Sequence, residues 1–226
     1  MSKDTSLKEK SQEWFNHSFS YEYSYHFSWL GRPIIQYPQD MIALQELVWK
    51  VKPDYIIESG IARGGSLIYS ASLLEMIGKG KVIGIDIDIR KHNKEEIEKH
   101  RMYKRITMIE GSSTSKKTIK EIEKIIGIGK KVMILLDSMH THKHVLEELR
   151  NYSKFVKKGS YIIVFDTMVQ DMPKGYFSNR PWDVDNNPKT AVRDFIKENK
   201  RFKIDSNFEK KLLITSSPSG FLKCVK

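Results

Sequence analysis

Five short, β-rich and nearly continuous apolar runs recur through the middle of the chain, at residues 54–58 (DYIIE), 82–86 (VIGID), 106–110 (ITMIE), 132–137 (VMILLD) and 160–165 (SYIIVF). Segments with helical spacing or composition lie between them, at 65–77, 91–101, 115–126 and 141–154. Apolar runs without polar alternation suit strands covered on both faces. Their alternation with helices implies βαβ units and an open, mostly parallel sheet flanked by helices. Asn187 and Pro188 are a helix cap and first helical residue, opening a helix to about residue 199, and strands at 202–205 and 211–215 are placed to complete the sheet. A chain of 226 residues suffices for one well-buried domain with an arm or lid, and hardly for a second core. The division expected is an aromatic-rich N-terminal arm over 1–38 and a single domain over 39–226.

In open α/β sheets ligands bind beyond the carboxyl ends of the strands. Here those ends carry Glu58, Asp86, Glu110, Asp137 and Asp166. A single acid at a strand exit only marks where the chain leaves the core, but five at successive exits make an acidic rim that suits a cationic ligand or a metal. The rest of the chain is basic, with a formal net charge of +11. That charge would suit nucleic acid, but the lysines are dispersed along the chain, so nucleic acid is not the expected partner. The one cysteine, Cys224, excludes an intrachain disulfide and a thiolate metal cluster. The start has no apolar core of signal-peptide type and no run is long enough to span a bilayer, so the expectation is a cytoplasmic protein without a membrane partner.

The turn after the first run reads Gly60, Ile61, Ala62, Arg63, Gly64, Gly65, Ser66. A dinucleotide fold would place G-x-G-x-x-G here, bringing backbone close to a pyrophosphate at a helix N-terminus, but Ala62 replaces the middle glycine. Glu58, two residues before the turn, would repel a pyrophosphate and favour an ammonium or sulfonium. S-adenosylmethionine carries both cations and fits this pattern better than a nicotinamide cofactor. Asp86 is placed to accept hydrogen bonds from two ribose hydroxyls, a role open in either cofactor class. Ser112 and Ser113, after Gly111, follow the third run, where an adenine edge would fall.

Residues 135–144 (LLDSMHTHKH) supply reactive groups. His140 follows Asp137 by three residues, near a helix start whose dipole disfavours imidazolium, which suits a general base. Asp137 and Asp166, if their strands are neighbours, suit a hard divalent ion such as Mg2+. His142 and His144 read as surface or packing residues, with zinc through His140 and His144 as the alternative. A metal that lowers the pKa of a hydroxyl, a histidine that takes its proton and an activated sulfonium together fit methyl transfer to an alcohol. The irregular stretch 167–192 is a mobile lid or an ordered active-site loop, and within it Tyr176, Phe177, Arg180 and Trp182 are candidates for acceptor contact. Residues 14–29 interleave aromatics with small polar residues, fit neither a regular helix nor a core strand, and suit packing over the sheet or against another subunit.

On the stretches 29–66, 84–90, 109–115, 136–167 and 180–192, the chain resembles the cephalosporin hydroxylase family of S-adenosylmethionine-dependent methyltransferases, related to macrolide-sugar O-methyltransferases. The resemblance implies a class I methyltransferase (Rossmann-like) fold with a seven-stranded sheet, and a homo-oligomer to which N-terminal segments contribute. It also implies Mg2+ at Asp137 and Asp166, with His140 at the position of the proposed base. The function it implies is O-methylation of a sugar or similar polyhydroxylated small molecule or glycan. Phe165 departs from the pattern, because such relatives place a second acid there, leaving Asp171 or water as substitute ligands. Arg63 departs too, standing where histidine is expected in many relatives. An iron and 2-oxoglutarate hydroxylase, suggested by the family name, would need a His-x-Asp/Glu pair, and none of the seven histidines begins one. An RNA methyltransferase and a cofactor-binding protein without turnover complete the alternatives.

Overall fold

A computed structural model describes residues 1 and 3–226, with the backbone alone at 209. Its centre is a seven-stranded sheet: β3 (Tyr55–Ser59), β4 (Lys81–Asp86), β5 (Ile106–Glu110), β6 (Val132–Leu136), β7 (Tyr161–Val164), β8 (Phe202–Ile204) and β9 (Phe221–Cys224), in the order β5-β4-β3-β6-β7-β9-β8. The first five are mutually parallel, and β9 runs antiparallel between β7 and β8. Strand order reverses at β3, so the crevice between the ends of β3 and β6 is where this topology places a ligand.

Side chains alternate across a strand, so each apolar run serves two cores. Ile56, Val82, Met133, Leu135 and Ile163 pack with α2 (Pro38–Val51) and α3 (Gly65–Ile77) on one face. Ile57, Ile83, Ile134, Leu136 and Ile162 pack on the other face with α5 (Lys116–Ile126), α6 (His142–Tyr152) and α7 (Pro188–Glu198). α4 (Lys91–Lys99) follows β4 and buries Ile97. This two-sided covering is why the runs show no polar alternation.

The strand expected at 211–215 does not form. Residues there close α8 (Ser206–Leu212), capped by the Asp205 side chain, and the final strand is Phe221–Cys224 instead. The later segment wins because its residues fit both cores: Phe221 faces one, while Leu222 and Cys224 face the other. α8 lies against α2, with Lys211 paired to Glu46 and Phe208 stacked on Phe221.

The N-terminal part also departs from expectation. Asp4 caps α1 (Thr5–Phe19) by accepting from Leu7 N at 2.9 Å, so residues 14–19 are helical. A short 3-10 turn follows, then a two-stranded ribbon of β1 (Phe27–Trp29) and β2 (Arg32–Ile34). Phe15 and Tyr37 stack at 4.8 Å and, with Met168, Val169 and Met172, make a third cluster against which Phe19, Tyr23, Phe177 and Trp182 pack. The segment from 167 onward is thus a folded loop: it starts with a 3-10 helix (Thr167–Asp171) and is laced by Asn187 Nδ2 donating to Gln170 Oε1 at 2.8 Å and to the Asp183 carbonyl at 2.9 Å.

Candidate active site

The glycine turn and the end of β6 touch. Gly60 has φ +95°, and a Cβ there would lie 2.0 Å from the Asp137 carbonyl oxygen, while Asp137 N donates to the Ser59 carbonyl at 2.9 Å. Only glycine permits that approach. Gly64 (φ +82°) caps α3, and a Cβ on Gly65 would meet the Pro33 carbonyl oxygen at 2.2 Å, so the β1–β2 ribbon seats directly on the helix start. Asp86 braces the turn from β4: Oδ2 accepts from Ile61 N at 2.8 Å and Ala62 N at 3.3 Å, and Oδ1 accepts from Asp88 N at 3.2 Å. Asp86 is half-buried, and an ionised carboxylate can accept about four hydrogen bonds, which leaves capacity for ligand hydroxyls.

Glu58 is only 2 % exposed. Ser66 Oγ donates to its Oε1, and Oε2 has no partner. It lines a small enclosed cavity together with Gln36, Asp40, Tyr69, Asp137 and Phe165. Burial raises its pKa to about 7 against the Ser66 hydrogen bond, so burial disfavours its charged form and a cation above the turn would favour it. Asp40, at the start of α2, is buried in the same cavity and raised to about 6 by loss of hydration, although Thr215 Oγ1, Ser216 N and Ser216 Oγ all donate to it. At the exit of β5, Gly111 N donates to the Asp86 carbonyl at 2.7 Å, Ser112 pairs with Thr114, and Ser113 is buried against His144.

At the reactive end, one ligand atom each from Asp137, His140 and Asp166 lie within 4.8 Å of one another. β6 delivers Asp137. β7 delivers Asp166, whose left-handed φ of 53° turns the chain immediately; aspartate tolerates that conformation better than most residues. His140 Nε2 is 3.1 Å from Asp166 Oδ2, and the Trp182 ring meets the imidazole edge-on at 4.8 Å. The helix start expected to act on His140 begins two residues later, at His142, so the ring's partners are Asp166 and Trp182. Gln36 Nε2 donates to Asp137 Oδ2 at 3.1 Å. Lost hydration first, then the charges of Asp166, Glu58, Glu148 and Asp40, hold the Asp137 carboxyl well above the usual range. Among the described residues, no lysine or arginine forms an ion pair with Asp40, Glu58, Asp137 or Asp166. Two carboxylates in an uncompensated acidic cleft fit a hard divalent cation such as Mg2+.

Other expectations resolve differently. Asp171 is held by Lys189 Nζ at 2.6 and 2.8 Å and does not join the cluster. Phe165 is buried in the core and offers no donor. His142 links α6 to α7 through Thr190 Oγ1 at 2.8 Å, His144 bonds Ser113, and among the described residues the ligand group that forms around His140 holds Asp137 and Asp166, not His144. Gln36 and Tyr25 were not singled out in the sequence. Gln36 carries no signal, and Tyr25 carries only its membership of an aromatic-rich stretch. Burial and then the charge of Asp166 raise the Tyr25 phenol, against the nearby Arg180, which itself lies 5.5 Å over the Trp182 ring. Trp182, with Arg180 over its ring, therefore stands beside the acid–histidine cluster.

A doubly wound sheet with this cleft has known counterparts. The family model described as Rhamnosyl O-methyltransferase/CmcI matches residues 21–225. A Rhamnosyl O-methyltransferase of Mycobacterium tuberculosis is 28% identical over 186 residues, covering 81% of this chain and 72% of the relative. The Rhamnosyl O-methyltransferase of Mycobacterium leprae is 26% identical over 220 residues, covering 96% of this chain and 90% of the relative. A solved structure of CmcI with Mg and SAM superposes with a TM-score of 0.62 at 18% identity, covering 89% of this chain and 78% of that one; at this identity the likeness speaks for the fold, a class I methyltransferase. With a match that runs through nearly all of its sheet and its cleft, the chain belongs to the Rhamnosyl O-methyltransferase/CmcI family.

Proposed function

We propose that the protein transfers the methyl group of S-adenosylmethionine to a hydroxyl of a sugar or similar polyhydroxylated small molecule or glycan, with Mg2+ assistance. The observation that carries this reading is the Asp137–His140–Asp166 cluster, set beside a glycine turn at the switch point of a parallel sheet. Relatives named Rhamnosyl O-methyltransferase support a sugar acceptor, and the CmcI complex with Mg and SAM supports the cofactor and the ion.

S-adenosylmethionine, when bound, supplies an electrophilic methyl on a sulfonium. A divalent ion held by Asp137 and Asp166 supplies a positive field that lowers the pKa of a nearby hydroxyl. The chain's own groups do the rest. Gly60, Ile61, Ala62, Gly64, Gly65 and Ser66 form the turn that lets a ligand approach the backbone, with the Glu58 carboxyl beneath it, whose ionised form a bound cation would favour. Asp86 holds the turn and offers its remaining lone pairs to ribose hydroxyls, and Ser112 and Ser113 wall the adenine side. The His140 imidazole takes the proton of the acceptor hydroxyl, and Asp166, whose Oδ2 lies 3.1 Å from Nε2, stabilises the imidazolium that forms. Trp182 holds the imidazole edge and presents an aromatic surface suited to the C–H face of a sugar ring, while the folded 167–192 segment borders the cleft.

A homo-oligomer in the cytoplasm is part of this proposal; among the described residues, no helix is long and apolar enough to cross a membrane. Calorimetry with S-adenosylhomocysteine tests the cofactor. Asp86→Ala is expected to weaken binding at least about tenfold, a typical consequence of losing a charged acceptor of ligand hydroxyls, and unchanged affinity would overturn the assignment. For the ion, transfer of labelled methyl to neutral sugars and glycan extracts is expected to stop with EDTA and return with Mg2+. Turnover indifferent to chelator would remove Asp137 and Asp166 from that role.

A further inference from the structure

A second cluster, which shares Ser113 with the proposed adenine wall but whose imidazole and carboxylate have no role in the proposed chemistry, gathers on His144. His144, in the first turn of α6, has Nε2 3.1 Å from Ser113 Oγ, 3.2 Å from Ser138 Oγ and 3.4 Å from Glu148 Oε1. Ser138 Oγ in turn donates to Glu148 Oε1 at 2.8 Å. Glu148 is fully buried, its Oε2 has no partner, and among the described residues His144 is its only ion-pair partner. One turn further along α6, the Tyr152 hydroxyl donates to the Ser113 carbonyl at 2.8 Å. Residues 144, 148 and 152 are spaced four apart, so they form one stripe of α6 facing the two strand exits.

Burying a carboxylate is costly, and an apolar residue at 148 would pack the same helix at no such cost. What the carboxylate does here is hold an imidazole and a hydroxyl that reach two different loops. Ser113 belongs to the exit of β5, whose Gly111 is bonded to Asp86, and Ser138 directly follows Asp137. β5 and β6 are not neighbours in the sheet, since β4 and β3 lie between them. No direct strand pairing therefore joins those two loops.

We propose that His144 is a positioning residue: with Glu148 behind it, it ties the loop after β5 to the loop after β6 and so fixes the adenine side of the cofactor groove relative to Asp137. The proposal rests on the S-adenosylmethionine reading above. A glutamine at 144 can carry a nitrogen donor to the place of Nε2, whereas a leucine cannot.

The test combines binding, kinetics and hydrogen exchange on the full chain. His144→Leu is expected to raise the Kd for S-adenosylhomocysteine, and the KM for the methyl donor, about tenfold, while kcat at saturating donor changes less than about twofold, the pattern of lost uniform binding. His144→Gln is expected to return both to within about threefold of the parent. Amide exchange in the ligand-free protein should rise at 111–115 and 137–141 in His144→Leu and stay near the parent in His144→Gln. Ser113→Ala should weaken binding in the parent and add nothing to His144→Leu, because both remove the same link. Unchanged Kd in His144→Leu would overturn the proposal, and so would a collapse of kcat with Kd intact. Should the leucine variant fail to fold, Ser138→Ala, which removes the other end of the link at a residue outside the cofactor wall, carries the decision, and unaltered affinity there would sink it. A parent protein that binds no S-adenosyl compound would remove the methyltransferase reading itself, a result separable from a parent that binds and a variant that binds equally well.

Discussion

Glu58 is where burial and charge conflict most sharply in this molecule. Its pKa stands at about 7 against 4.5 for a free glutamate. Between those values the folded state holds the proton that the unfolded state has released, so stability falls as pH rises from 4.5 through 7, and the whole penalty is present above 7. For the ligand-free protein, Glu58→Gln is therefore expected to raise the unfolding free energy by ~1–3 kcal/mol at pH 8 and to leave it nearly unchanged near pH 4.5. Urea denaturation at the two pH values checks this; equal gains at both would mean that packing, not ionisation, governs the site. The acids that matter most were legible in the sequence because each ends a strand run. Gln36 and Glu148 were not, because neither lies at a strand end: Gln36 precedes α2 and reaches Asp137 across 101 positions of chain, and Glu148 reads as an ordinary polar residue of a surface helix.

Among the elements, α7 shows local sequence and tertiary structure agreeing. Asn187 accepts from Lys189 N at 3.0 Å and Thr190 N at 3.2 Å, and Thr190 closes a reciprocal capping box. The same side chain donates to Gln170 and Asp183, so the cap also fastens the loop that carries Trp182. Asn187→Ala is expected to cost ~1–2 kcal/mol in chemical denaturation and to speed limited proteolysis within 172–186; a cost confined to α7, with the loop as resistant as before, would separate the two functions. The last strand is the contrary case. Residues 211–215 are as apolar as a strand requires, yet α8 ends there, because only Phe221–Cys224 alternates to suit both cores beside β7. A single short apolar run does not reveal which of two candidates will find a partner.

For the molecule as a whole, the N-terminal arm is held by aromatic packing against the loop that borders the cleft. Phe15 is buried on Tyr37 among Met168, Val169 and Met172. Phe15→Ala is expected to cost ~3 kcal/mol, at the low end for a buried phenylalanine because this cluster lies outside the main cores. Loss of acceptor affinity should accompany it while cofactor affinity holds, since the glycine turn proposed to hold the cofactor is built from β3 and braced from β4; equal loss of both would mean that the arm supports the whole domain. Sequence alone determined the doubly wound sheet, the glycine turn and the acids at the strand ends, because hydrophobic period and turn chemistry are local and a strand buried on both faces has little freedom in composition. Only the tertiary structure decided which strand closes the sheet, that the aromatic arm begins as a helix, that Glu58 lies beneath its turn, and that His144 joins two separated loops. Those outcomes depend on which distant surface each segment meets, and burial and pairing between remote residues leave no mark in the order of neighbours along the chain.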